Sequence, residues 1–113
     1  MRIINLTPHA IGLATEDGVV TIPASGTVAR VAVSVSPAGE IETDYGRVPL
    51  VRLTYGDPVG LPDPQDGVVY IVSKVVADAL PDRPDLVYPD TSPESAIRND
   101  AGQIVAVRRL VTR

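Results

Sequence analysis

Short runs of β-branched residues, separated by glycine, proline and acidic turn residues, dominate the first two thirds of the chain and constrain its fold most strongly. Val, Ile and Thr suit the pleated surface of a sheet, whereas Gly and Pro interrupt regular elements. Phe and Trp are absent, so the core has to be built mainly from Val, Ile, Leu and Ala. The sequence therefore predicts a mainly β (α+β) fold, either a compact β-barrel or a sandwich-like antiparallel sheet.

The pattern also predicts where the elements lie. One short helix is expected near 73–80, because Ser73 suits an N-cap and Pro81 cannot continue a helix. Residues 56–67 contain three prolines and are expected to be irregular. Within 27–35, the odd-numbered positions are expected to face the core. Strands are predicted over residues 2–6, 10–14, 19–22, 27–35, 39–44, 48–55, 68–72, 95–98 and 104–110.

Chain length and charge limit the classes of partner. The 113 residues fit a single domain, 1–113. A core of small aliphatic side chains is modest at this length, so we expect a homo-oligomer. The formal net charge of -4 argues against nucleic acid as a partner, because nonspecific binding relies on clustered Lys and Arg. Nine of the ten basic residues are Arg, which suits paired contacts with carboxylate or phosphate, although GC-rich codon usage would give the same bias.

Cellular location follows from what the sequence lacks. There is no Cys, which fits a reducing compartment. The first residues lack the apolar run of a signal peptide, and no apolar stretch approaches the roughly 20 residues of a membrane span. We therefore expect a cytoplasmic protein with no membrane partner.

The only histidine, His9, ends a polar run that also contains Asn5 and Thr7. Imidazole can act as an acid, a base or a hydrogen-bond donor near neutral pH, so this run is one candidate ligand-binding site. The alternative is that the three residues only satisfy backbone groups at a turn. Zinc is not expected, since no second His or Cys exists to complete its shell. Oxygen-only binding of Mg or Ca through Asp residues stays open, although no calcium-loop spacing is present, and no metal or cofactor is assigned. No sequence pattern indicates nucleophilic catalysis, so no catalytic residue is assigned and the chain is expected to bind rather than react.

Residues 81–98 form the second candidate, because four prolines can hold a defined shape without regular secondary structure. Arg side chains would hold anionic groups, Asp side chains would accept from hydroxyl or amino groups, and a Tyr ring would stack. This combination suits a small nucleotide-like ligand. The alternative is that Asp82–Arg83 and Asp85–Arg98 are salt bridges that attach the loop to the sheet. The residues assigned to ligand binding here are Arg30, Tyr70, Arg83, Asp85, Tyr88, Asp90 and Arg98.

Several of these stretches together resemble a family of small proteins encoded by phages and prophages. The resemblance covers nearly the whole chain. It rests on Asn-Leu-Thr-Pro-His at 5–9, Ile-Pro-Ala-Ser-Gly-Thr-Val-Ala-Arg at 22–30, Gly-Leu-Pro-Asp-Pro at 60–64, Tyr-Ile-Val-Ser at 70–73, Pro-Asp-Arg-Pro-Asp-Leu at 81–86 and Arg-Asn-Asp-Ala-Gly-Gln-Ile at 98–104.

The phage context implied by this resemblance favours one function among several. Small, acidic, oligomeric phage proteins recur as anti-defence sponges that sequester nucleotide immune signals. The resemblance therefore implies a non-enzymatic binder of an ADP-ribose type or cyclic nucleotide signal, with Arg side chains on phosphates, Asp side chains on ribose, and the run at 5–9 on base or sugar edges. Two alternatives remain open: a nucleotide-cleaving, phosphodiesterase-like enzyme using His9, and a virion or host-interaction protein.

Overall fold

The computed structural model describes residues 1–112, which form three separate groups of strands and one short helix. The mainly β prediction with one short helix is confirmed. The elements in chain order are β1 (Arg2–Asn5), β2 (Ile11–Thr15), β3 (Gly18–Ile22), β4 (Val33–Thr43), β5 (Gly46–Tyr55), β6 (Val68–Ile71), α1 (Lys74–Ala79), β7 (Leu86–Pro89), β8 (Ala96–Arg98), β9 (Ile104–Val107) and β10 (Leu110–Val111).

The first sheet has the order β1-β6-β7-β10 and carries most of the core. β6 lies parallel to both β1 and β7, while β10 lies antiparallel to β7. Tyr70, Ile71 and Val72 are fully buried, as expected for a continuous apolar run at the centre of a sheet. The chain passes from β6 to β7 through α1, a crossover of the kind that parallel strands require.

The helix α1 begins and ends where the sequence predicts. The Ser73 side chain accepts a hydrogen bond from the backbone N–H of Val76, which makes Ser73 the N-cap. The helix ends at Ala79, and its C-cap Leu80 lies directly before Pro81. Val76 and Ala77 are buried against the first sheet, so α1 closes one side of the core.

The second sheet has the order β3-β2-β9-β8, with β2 and β9 parallel and the other pairs antiparallel. At Gly12 in β2 any Cβ would collide with the carbonyl oxygen of Val105, so only glycine permits this close approach of the two strands. The predicted terminal hairpin is confirmed as β8 and β9. Its turn is held by Asn99, whose Oδ1 accepts from the backbone N–H of Ala101 and of Gln103, each at 3.0 Å.

The third group is the hairpin formed by β4 and β5, which we call the arm. Every strand residue of the arm except Ala38 is exposed. The radius of gyration is 17.3 Å, whereas about 13 Å is expected for a compact domain of this length. The prediction that the odd positions of 27–35 face the core is therefore only half right: Ala29 is buried, but Val33 and Val35 lie in the arm.

Residues 56–67 are irregular apart from one bridge, in agreement with the prediction, and are attached to the root of the arm. Arg30 and Val59 exchange two backbone hydrogen bonds of 2.9 and 2.8 Å. Gly60, at φ +76°, lies so close to the carbonyl oxygen of Val28 that a side chain would not fit. These contacts bring the segment against residues 28–32.

Three details of the predicted architecture need correction. The strands do not close into a barrel, and three of the strand pairs are parallel rather than antiparallel. The proline-rich segment 81–98 is not free of regular structure, because Leu86–Pro89 forms β7 inside it. Leu86 and Val87 are buried there, so burial of this apolar pair outweighs the neighbouring prolines. No helix within residues 1–112 is long and apolar enough to cross a membrane.

Candidate ligand-binding site

Asn5 is the centre of a hydrogen-bonded turn. Its side chain is almost completely buried, at 1% exposure. The amide nitrogen donates to the carbonyl oxygens of His9 and Ile22, at 2.8 and 3.1 Å. The amide oxygen accepts from the backbone N–H and the hydroxyl of Thr7, at 2.9 and 2.7 Å. Both ends of the Asn5 amide are thus used inside the chain, and this is the turn role that the sequence left open as an alternative.

Thr7 and His9 are brought close to Asn5 but differ in what they offer. The Thr7 hydroxyl has its single proton directed toward Asn5 or the His9 carbonyl, so its remaining capacity is to accept. The His9 residue is exposed, and its imidazole has no hydrogen-bond partner in residues 1–112. The polar run therefore presents one hydrogen-bond acceptor, the Thr7 hydroxyl, and one exposed imidazole ring.

A pocket of about 340 Å³ lies between this turn and the start of α1, and we call it the α1 pocket. Its floor is made of the buried residues Leu6, Ala29 and Val76. Thr7, Arg30 and Ser73 are the polar residues among its lining residues. A mainly apolar lining with a few polar residues is the usual composition of a small-molecule site, and the volume lies at the lower end of the common range.

Arg30 is the charged group of the α1 pocket. Its backbone is held on both sides, because the N–H and C=O both bond to Val59 while the neighbouring Ala29 N–H donates to Leu6. Its guanidinium, in contrast, makes no hydrogen bond or ion pair with any residue in 1–112. A fixed backbone with an unpaired guanidinium is suited to binding an anion at this position.

Arg83 and Asp85 form a two-pronged ion pair beside β7. Arg83 donates through Nε and Nη2 to the two carboxylate oxygens of Asp85, at 2.9 and 2.8 Å, and also to the carbonyl oxygen of Pro62 at 3.0 Å. The side chains are only 20% and 14% exposed. Hydrogen bonding from Arg83 holds the pKa of Asp85 below its usual value, and the same bonds raise the pKa of Arg83. The pair therefore attaches the 81–98 segment to residues 56–67.

The lowered pKa of Asp85 gives a test of this attachment. Because the folded-state pKa lies below the unfolded value of about 3.9, the pair stabilises the fold above that pH and loses its effect as the pH falls through the folded pKa. We expect Asp85→Asn to lower the free energy of unfolding by about 1–3 kcal/mol at pH 7. Urea unfolding at pH 7, 5 and 3 should show the variant and the wild type converging at acid pH.

Asp82→Asn is the matched control for that measurement. Asp82 is an exposed carboxylate three residues away and makes no ion pair within residues 1–112, so its replacement should stay within about 0.5 kcal/mol of the wild type. A loss for Asp85→Asn that is the same at pH 3 and pH 7 would show that the carboxylate charge is not what matters.

Asp90 and Tyr88 line a second pocket of about 440 Å³. Asp90 accepts from the backbone N–H of Ser92 at 2.9 Å and from Arg109 Nε at 2.8 Å. These hydrogen bonds lower the pKa of Asp90, and the bond from the Ser92 backbone has the largest effect. Its carboxylate is therefore already occupied, while the half-buried Tyr88 ring packs partly against the core cluster. This pocket contains no arginine among its lining residues.

Tyr70 and Arg98 lie away from both pockets. Tyr70 is completely buried, and its hydroxyl makes one long bond of 3.4 Å to the carbonyl oxygen of Asp63. Arg98 is exposed at the end of β8 and donates to the carbonyl oxygen of Gly102 at 2.6 Å. The three predicted arginines thus have different surroundings: Arg30 lines the α1 pocket, Arg83 is paired with Asp85, and Arg98 bonds to the Gly102 carbonyl.

The structure thus brings together some of the predicted site residues and separates others. Thr7 and Arg30 meet in the α1 pocket, and Tyr88 and Asp90 meet in the second one. Ser73 was predicted only as a helix cap, yet it also lines the α1 pocket. Arg109 was not singled out, although it holds Asp90. Thr7 and Arg30 are 23 positions apart, and Arg109 is 19 positions from Asp90. Only the tertiary fold brings these two pairs together.

The 81–98 segment is held by salt bridges, which the sequence left open as the alternative to ligand binding, but the partners differ from those predicted. The predicted bridges Asp82–Arg83 and Asp85–Arg98 are not present among residues 1–112, where Arg83 pairs with Asp85 and Arg109 pairs with Asp90. No group of three or more His, Asp or Glu side chains suited to a metal ion occurs in the same residues.

Comparison with protein-family models, with characterised proteins and with solved structures gives no match to this chain.

Proposed function

We propose that this protein binds a small nucleotide-derived signal, of the ADP-ribose or cyclic nucleotide type, and sequesters it without cleaving it. The observation that supports the proposal is the unpaired guanidinium of Arg30 beside the α1 pocket, whose floor is apolar and whose volume is about 340 Å³. Arg30 would hold a phosphate group, and the Thr7 and Ser73 hydroxyls would contact the sugar. The resemblance to phage and prophage proteins supplies the biological setting, an anti-defence sponge acting in the host cytoplasm.

The volume of the α1 pocket limits what part of the ligand it can hold. At the lower end of the range for small-molecule sites, it matches about one nucleoside phosphate unit rather than a whole dinucleotide. The remaining part of a larger signal would extend out of the α1 pocket onto the protein surface.

Calorimetric titration with ADP-ribose, cyclic di-AMP and cyclic di-GMP tests the proposal. We expect one of them to bind, and Arg30→Ala to weaken its affinity by about 10- to 100-fold, because a charged hydrogen bond contributes roughly 1.5–3 kcal/mol. Arg52→Ala is the matched control, since Arg52 is also exposed but lies in the arm. Absence of binding heat for all three nucleotides, or equal losses in the two variants, would refute the assignment of Arg30.

The enzymatic alternative makes a different prediction for the same samples. His9 is exposed and has no carboxylate partner within residues 1–112 to orient its ring, an arrangement that does not favour general acid or base catalysis. Chromatography of the nucleotide recovered from denatured protein separates the two functions. Intact nucleotide supports sequestration, whereas altered products support the phosphodiesterase-like alternative.

A further inference from the structure

We propose that the arm mediates self-association, and that the apolar side of this hairpin packs against a second copy of the chain. The inference is independent of the ligand-binding proposal, because it rests on the hairpin β4–β5 rather than on the α1 pocket. It concerns the surface that the folded chain leaves exposed.

The first observation is the surface area of the chain. Its accessible surface is 7738 Å² for a mass of 11.9 kDa, whereas a folded monomer of this mass exposes only about 6,000 Å². The excess is therefore about 1,700 Å², within the roughly 1,000–2,500 Å² that each partner of an obligate complex buries. The chain has the surface of a subunit rather than of a compact monomer.

The second observation is the separation of apolar and polar residues on the half of the arm next to its root, between residues 33–37 and 51–55. Side chains of cross-strand partners point to the same side of a hairpin. On one side, which we call the apolar face, the register places Val33, Val35, Pro37, Val51, Leu53 and Tyr55. The strand positions between them point to the opposite side and form the pairs Ser34–Thr54 and Ser36–Arg52.

Exposure of this face is high for its residue types. Val35 and Val51 are 63% and 60% exposed, and Leu53 is 51% exposed. No charged residue interrupts the face, in keeping with the depletion of charge at the centre of protein interfaces. An isolated two-stranded hairpin is marginal in water and needs a further layer against its apolar side. None of the other described elements supplies that layer, since all of these residues are exposed.

A second copy of the chain is the partner best suited to cover the apolar face. The face needs a packing partner whenever the chain is folded, and another copy of the chain is always present at the same place. Closed twofold association is also the commonest symmetry of soluble oligomers. The small aliphatic core, with no Phe or Trp, gives the single chain little stability to compensate for an uncovered arm.

Packing through the face is favoured over pairing along the edge. Pro37 in β4 and Pro49 in β5 each lack a backbone N–H, and the register shifts between Pro37 and Glu40. Prolines and bulges are the features that block continuous edge-to-edge pairing of strands. The apolar face, in contrast, is continuous from Val33 to Pro37 and from Val51 to Tyr55.

Sedimentation velocity of the full chain between 1 and 100 µM tests the inference. We expect the wild type to sediment at twice the chain mass or more, and Val35→Asp and Leu53→Asp to weaken association at least tenfold. Ser34→Asp adds the same charge on the opposite side of β4 and should associate like the wild type. A wild type that remains monomeric at 100 µM, or a Val35→Asp variant that associates as tightly as Ser34→Asp, would overturn the proposal.

A cross-linking measurement keeps the test valid if an aspartate variant fails to fold. The chain has no cysteine, so Val35→Cys and Ser34→Cys each carry a single thiol. With a short bis-maleimide, we expect Val35→Cys to give a covalent dimer in at least fivefold higher yield than Ser34→Cys. Equal yields from the two variants would contradict burial of the apolar face against a second copy.

Discussion

Replacing Tyr70 by Ala should lower the free energy of unfolding by about 3–5 kcal/mol, the range for removing a buried aromatic side chain. Tyr70 is the largest side chain that is completely buried, and it lies in β6 between β1 and β7. Removal of the ring would leave a cavity in the core cluster of the first sheet, beside residues such as Leu6, Val76 and Leu86. Urea unfolding followed by circular dichroism measures the loss.

Two further tyrosine variants serve as controls: one removes only the hydroxyl of the buried Tyr70, and the other removes an exposed ring. Tyr70→Phe should cost less than about 1 kcal/mol, because within residues 1–112 the hydroxyl makes a single hydrogen bond, of 3.4 Å. Tyr45→Ala removes a fully exposed ring at the tip of the arm and should be nearly neutral. A Tyr70→Ala variant as stable as Tyr45→Ala would contradict the position of Tyr70 in the core.

Asn5→Ala is expected to destabilise the fold by about 2–4 kcal/mol, since buried groups left without hydrogen-bond partners cost roughly 1–3 kcal/mol each. The variant removes two donated and two accepted bonds at a site that is 1% exposed. The carbonyl oxygens of His9 and Ile22 would lose their partner, and the turn between β1 and β2 would be weakened. Thermal or urea unfolding gives the difference.

Asn99→Ala provides the comparison for Asn5. Asn99 also accepts from two backbone N–H groups, but it is exposed in the turn between β8 and β9. Water can replace those bonds, so we expect a loss below about 1 kcal/mol. Similar losses at the two positions would mean that burial does not set the cost at Asn5.

These two predictions also determine how binding data should be interpreted. Asn5 and Tyr70 were assigned to ligand binding from the sequence, yet the structure uses both inside the fold. Weaker nucleotide binding by Asn5→Ala or Tyr70→Ala would follow from loss of folded protein alone. Arg30→Ala leaves the backbone bonds to Val59 in place, so it tests contact with the ligand more directly.

The sequence predicted individual elements well where local chemistry is decisive. The N-cap at Ser73 and the end of α1 before Pro81 are confirmed, because capping and the missing proline N–H act within one turn of chain. The turn after Asn99 is confirmed for the same reason. The buried strand β6 was also identified, since Val68 to Val72 form an unbroken apolar run.

Long-range contacts decided the arrangement of these elements. Arg83 was expected to pair with Asp82, its neighbour in sequence, but pairs with Asp85 and with the carbonyl of Pro62, 21 positions away. Asp90 is held by Arg109, 19 positions away. The Asp90–Arg109 pair depends on the pairing of β7 with β10, and the Arg83–Pro62 bond depends on the position of residues 56–67 beside the 81–98 segment. Residue types alone specify neither arrangement.

By itself, the sequence determined a mainly β chain with one capped helix, because β-branched runs, caps and turn residues act over a few positions. It also indicated that apolar residues alternate within 27–35, since the period of two is a property of the strand. Only the tertiary structure decided that Val33 and Val35 of this stretch lie in an uncovered arm instead of a core face, and that Arg30 lines the α1 pocket while Tyr70 is buried in the core. The physical reason is that periodicity shows which side chains share a face, whereas burial depends on which distant element packs against that face.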